Sequence, residues 1–140
     1  MHKFNFKLQK ILEYKETLEE QAKRAYLEKK PKLLEAEITL NQIAKRRHDV
    51  LVSSANDLAS LQAKETFLLR LDEEERSQKI IINVLLSEEE KARSIWQEKH
   101  QEAKALQKLK EHRKQEWIYL FNKEEQNTID DFATMRRQVA

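Results

Sequence analysis

In 140 residues the chain has no glycine, no cysteine and a single proline, Pro31. Glycine is the default residue wherever backbone must turn left-handed, so its absence excludes phosphate-cradling loops, dinucleotide fingerprints, left-handed helix caps and type I′ hairpin turns. What such a chain forms readily is long helix. Asp, Glu, Lys and Arg make up 37% of it and hydrophobic residues 39%, a balance suited to helices that bury one seam rather than to a filled globular core.

Apolar residues recur at alternating three and four residue steps, the mark of a coiled-coil seam. The first run reads Leu8, Ile11, Lys15, Leu18, Ala22, Ala25, Lys29. With one residue inserted it continues through Leu33, Ala36, Leu40, Ile43, Arg47 and Val50. That skip falls at Pro31, which removes a backbone donor and clashes with the Leu27 carbonyl, so a kink is expected there, with a break at Lys30 as the alternative. Ser53, Ser54, Ala55, Asn56 and Asp57 form the densest group of short polar residues and mark the turn, with Ser54 and Asp57 placed to cap the next helix. The second seam runs through Ile82, Leu85, Glu89, Ala92, Trp96, Lys99, Ala103, Leu106, Lys110, Arg113, Trp117 and Leu120. The sequence thus predicts an all-α fold, a single coiled-coil domain over 1–140 in which two long helices form an antiparallel hairpin. Helix 1 is expected over about 6–52, the turn over about 53–58 and helix 2 over about 59–136.

Several function classes fall away. Lys and Arg number 27 against 25 Asp and Glu, a net charge of +2, too small to draw in nucleic acid or an anionic membrane. The acidic runs Asp72 to Glu75 and Glu88 to Glu90, and the basic stretch from Lys99 to Lys114, read as solvated faces. The longest apolar run, Ile80 to Leu86, is interrupted by Asn83 and far too short to span a bilayer. Without an apolar leader or cysteines, the expected location is cytoplasmic. His2, His48, His100 and His112 include no pair at helical spacing, and carboxylates on exposed helix keep ordinary acidity. No metal, cofactor or catalytic role is expected.

The arms are unequal. At 1.5 Å per residue, a first helix of roughly 45 residues is about 65 Å long and a second of roughly 75 exceeds about 100 Å, so an antiparallel hairpin leaves residues from about Lys108 onward without an internal partner. Trp117, Leu120 and Phe121 on that arm are candidates for binding another protein. Phe67 and Leu71, four residues apart just after the turn, are candidates for a second contact patch, or else close the hairpin end against Val50 and Leu51.

The order of these features resembles the flagellar FliJ family. The resemblance is carried by Phe4, Phe6, Leu8, Ile11 and Leu12 followed by Lys15 and Glu19; by Phe67, Leu68 and Leu71 after the turn; and by Trp96, Lys104, Leu106, Leu109 and Arg113 followed by Ile129, Asp130 and Asp131. It implies a non-enzymatic component of the bacterial flagellar type III export apparatus, similar in shape to the central stalk of rotary ATP synthases. The implied partners are the hexameric export ATPase, entered by the end carrying both termini, the cytoplasmic domain of the membrane export gate, which the resemblance assigns to Phe67 and Leu71, and export chaperones. The implied location is cytoplasmic, held peripherally at the inner membrane through the apparatus. Alternatives are the equivalent stalk of a virulence-type secretion system and a homo-oligomeric coiled-coil scaffold, discouraged by lysines on the seam. A nucleic-acid-binding coiled coil would have to use the basic stretch, which Glu102 and Glu111 interrupt.

Overall fold

The computed structural model describes residues 3–139. It contains two helices, α1 over Gln9–Val52 and α2 over Leu58–Val139, and no strand among the described residues. They pack against each other as an antiparallel helical hairpin, the all-α class that composition and heptad spacing point to. The segment before α1 is not helical: Gln9 N–H donates to the Phe6 carbonyl at 3.1 Å, and the first α-type bond runs from Leu12 N–H to the Leu8 carbonyl.

Residues 53–57 reverse the chain without glycine, and among the described residues no φ is positive. Side chains do the work that a left-handed residue does elsewhere. The Ser53 hydroxyl donates to the Val50 carbonyl at 2.6 Å, and the Lys64 ammonium donates to the carbonyls of Leu51 and Ser53 at 3.1 and 2.8 Å. A cation there satisfies acceptors that every helix end leaves open and complements the negative end of the α1 dipole. Across the turn, Asp57 caps α2, its Oδ1 accepting the Ser60 N–H at 2.7 Å while its carbonyl accepts from Leu61. Hydrogen bonds from the Ser60 side chain and then its backbone hold the Asp57 carboxyl below its ordinary range. The cap therefore pairs Asp57 with Ser60, three residues beyond the expected pairing of Ser54 with Asp57.

The register of α1 differs from the expected one. Buried and half-buried positions run Leu8, Leu12, Lys15, Glu19, Ala22, Tyr26, Lys29, Leu33, Ala36, Leu40, Ile43, Arg47, Val50 in unbroken steps of four and three. Ile11 is 48% exposed while Leu12 is 2% exposed, and Ala25 is likewise exposed with Tyr26 buried in its place. Both choices keep the heptad, but Leu12 and Tyr26 lead into Leu33 with no inserted residue, and Tyr26 buries far more apolar surface than Ala25 can. The skip at Pro31 disappears, and α1 runs through the proline without a break. Pro31 is exposed, away from the seam, where water can reach the Leu27 carbonyl that has lost its intrahelical donor. In α2 the half-buried and buried register is equally regular from Lys64 through Leu71, Ile82, Leu85, Trp96 and Ala103 to Lys110.

The chain divides into two compact units. The turn unit spans Glu20–Gln97. Its seam holds Ile43, Ala36 and Leu71, the last being the largest fully buried side chain. Tyr26 stacks on Trp96 at 5.4 Å between ring centroids, with the Lys30 ammonium 4.9 Å from the Tyr26 ring centre. The acidic run here is not merely solvated. Arg47 Nη1 donates to Glu75, and its Nε lies 3.0 Å from Asp72 Oδ1, off the N–H line, so that contact is ionic rather than a hydrogen bond. Arg46 reaches Glu74 at 3.9 Å. The terminal unit joins the segment up to Glu19 to the segment from Glu98 and is centred on Phe6, Leu12 and Ala103.

Seam lysines have partners in both units. Lys29 meets Glu88 at 3.5 Å in the turn unit, and Lys15 meets Glu102 at 3.0 Å in the terminal unit. At these exposures each pair is worth less than about 1 kcal/mol. Their larger effect is selective: a lysine on the seam is tolerated where the facing helix supplies a carboxylate, so the polar positions favour the intrachain register.

Candidate partner-binding surfaces

The terminal unit carries an aromatic cluster. Helical spacing places Trp117 and Phe121 one turn apart, and their rings stack at 5.4 Å. The non-helical segment before α1 lays Phe4 against Trp117, with centroids 6.1 Å apart and rings tilted by 54°. Beside them Lys3, Phe4 and Asn5 face Leu109, His112, Arg113, Glu116, Trp117 and Leu120 across an open groove of about 570 Å³. The expectation that α2 lacks an internal partner from Lys108 onward is thus corrected. Phe4 covers it as far as Trp117, and only from residue 122 onward is every described side chain exposed. Leu120 is 57% exposed, and Tyr119, Ile129, Phe132 and Met135 are exposed beyond it. Phe121, Phe132 and Met135, with Ile129 to one side, fall on one stripe of the helix at steps of eleven and three residues.

A polar clasp holds the same unit together deeper along the seam. Lys15 donates to Glu102 at 3.0 Å with Lys99 at 3.9 Å from the same carboxylate, His100 Nδ1 lies 2.6 Å from Glu19, and Gln107 donates to Glu16 at 3.0 Å. The hydrogen bond from Lys15 keeps the Glu102 carboxyl below its ordinary range.

In the turn unit, Leu71 is 1% exposed and faces the seam, whereas Phe67 is 39% exposed. The two share a side of α2 only loosely, so Leu71 is a packing residue and Phe67 alone is presented. Sequence spacing did not single out the exposed apolar residues Val52, Leu58 and Leu61 flanking the turn, and Leu51, expected to help close the hairpin end, is 52% exposed. Nor did it single out Phe4, whose role depends on where the non-helical segment lies. Of the remaining seam residues named from sequence, Leu8, Leu18, Ala22, Leu33, Leu40, Ile82, Leu85, Trp96 and Leu106 are half-buried and Ile43 is buried. The indole N–H of Trp96 is buried with no acceptor among the described residues, while its ring stacks on Tyr26.

Among the described residues, no group of three or more His, Asp or Glu is placed to hold a metal ion, and no helix is long and apolar enough to cross a membrane. The exposed surfaces carry aromatic and aliphatic side chains on regular helix, with charges around them.

The antiparallel two-helix hairpin is the fold that the resemblance to the family named above implies. Residues 4–139 match the FliJ family, the flagellar FliJ protein, and the chain belongs to that family. It is a flagellar, export-related protein. Comparison with curated proteins and with solved structures gave no match.

Proposed function

We propose that this protein is a non-enzymatic stalk of the flagellar export apparatus, whose terminal unit engages the ring of the export ATPase. The observation that carries this reading is the helix left unpaired beyond Phe121, with Leu120, Ile129, Phe132 and Met135 exposed, in a chain that matches the FliJ family almost end to end. Apolar side chains at helical spacing on an otherwise charged helix fit a groove or central opening of a partner. Trp117 and Phe121, stiffened by their mutual stacking, lose little side-chain freedom on binding and are suited to anchor the contact. Phe67 is assigned to the cytoplasmic domain of the export gate, and chaperones are further partners. The flagellar description of the family supports this role over that of a virulence-type stalk. The protein then works in the cytoplasm, held at the inner membrane through the apparatus.

The test is ring assembly. Purified chain at micromolar concentration shifts its cognate ATPase from monomers and partial rings toward complete hexamers in light scattering, and a chain truncated after Phe121 does not. Identical assembly with and without folded full-length chain contradicts the reading.

A further inference from the structure

Charge in this chain is balanced overall but not locally. The contacts of Phe4 with Trp117 and of Glu16 with Gln107 set residues 3–16 alongside 104–117. Those two stretches hold nine Lys or Arg against four Glu, a surplus of five in a chain whose net charge is +2. In sequence the amino-terminal lysines Lys3, Lys7 and Lys10 lie about a hundred residues from Lys104, Lys108, Lys110, Arg113 and Lys114. In the fold the stretches that carry them run side by side as a basic collar, with Lys3 and Arg113 lining the same groove. Among the described residues none of these eight takes part in an ion pair within 4 Å, unlike Lys15, which is matched to Glu102. All but Lys110 are exposed. Exposed like charges at this density set up a positive local field that attracts an acidic partner.

From this geometry we infer that the collar is an electrostatic docking surface for an acidic protein surface, namely carboxylates lining the ATPase ring that the terminal unit enters. The inference rests on the stalk reading above and adds the chemistry of recognition to it. The groove between Lys3, Arg113 and Trp117 gives the collar an apolar floor, which suits an acidic loop carrying an aliphatic or aromatic side chain better than a bare polyanion. The collar steers and orients the ring; the apolar tail holds it. Because an exposed cationic rim acts mainly on encounter, binding through it is fast and salt-sensitive.

The experiment uses the full chain, fluorescently labelled, titrated with the purified cognate ATPase at about 50 and about 300 mM salt, across which screening of exposed charges roughly doubles. The variant Lys7→Glu/Lys10→Glu/Lys108→Glu/Arg113→Glu reverses four cations that touch no carboxylate, and circular dichroism confirms its helicity. The expected result is wild-type affinity falling about tenfold across that salt range, and the reversed variant binding about tenfold more weakly at low salt with a flatter salt dependence. The companion Lys7→Arg/Lys10→Arg/Lys108→Arg/Arg113→Lys binds like wild type. Equal affinity and equal salt slope for the reversed variant, while truncation after Phe121 abolishes binding, overturns the collar and leaves the stalk reading standing. No binding by folded wild type at either salt overturns both. Binding of wild type to a duplex DNA probe as tightly as to the ATPase reassigns the collar to nucleic acid and overturns the proposal.

Discussion

At the scale of single residues, the choice between neighbouring side chains decides which face of α1 is buried. Leu12 and Tyr26 hold seam positions that the sequence offers equally well to Ile11 and Ala25, because both sets keep steps of three and four. The substitution Leu12→Ala or Leu71→Ala should cost about 2–3 kcal/mol, the lower end of the range for buried leucines because the seam is only two helices thick. Ile11→Ala should change stability by less than about 0.5 kcal/mol, as at other exposed sites. Chemical denaturation of the three variants checks this, and comparable losses for Ile11→Ala and Leu12→Ala would restore the other register. Lys64→Met removes both hydrogen bonds that close α1 and should cost about 1 kcal/mol in the same measurement. Asp57 and Glu102 contribute to the response to acid. Both carboxyls titrate lower in the folded chain than in the unfolded one, so their stabilisation is complete above the ordinary carboxylate range and lost as pH falls through the folded values. The thermal midpoint should stay level from neutrality to about pH 5 and drop below about pH 4. A midpoint that rises on acidification contradicts the assignment.

Helices, as elements, were the most legible part of the chain. Absence of glycine, heptad spacing and the Ser53 to Asp57 cluster lead to a two-helix hairpin without reference to coordinates. What spacing left open was any feature set by the opposite helix. Tyr26 is chosen over Ala25 because Trp96 faces it, Asp72 and Glu75 are drawn out of solvent because Arg47 faces them, and Lys64 caps a helix eleven or more residues away. The candidate site was half legible for the same reason. Trp117, Leu120 and Phe121 could be picked out on α2, but Phe4 and the lysines that join the basic collar lie at the far end of the sequence. Leu71 could not be separated from Phe67 until the register was known. Pro31 gives an element-scale prediction. In an exposed helix interior that keeps its register, Pro31→Ala should raise stability by about 2–3 kcal/mol, since the proline costs about 3 kcal/mol there and nothing in the seam depends on it. Unchanged or lower stability would mean that α1 needs the distortion a proline brings.

For the whole molecule, everything functional follows from a chain that folds back on itself rather than pairing with another copy. Only then do Phe4 and Trp117 meet, and only then do both arms contribute to one basic collar at the root of the unpaired tail. Seam charges support intrachain pairing, since Lys15 and Lys29 find Glu102 and Glu88 within their own units. A chain with no native cysteine makes this directly measurable. Two double variants, Lys15→Cys/Glu102→Cys and Lys29→Cys/Glu88→Cys, treated with a short bismaleimide over a wide range of protein concentration, should each give a cross-linked product of monomer mass in a yield independent of dilution. Products of twice that mass, vanishing as the protein is diluted, would show that the helices pair between chains and would contradict the account.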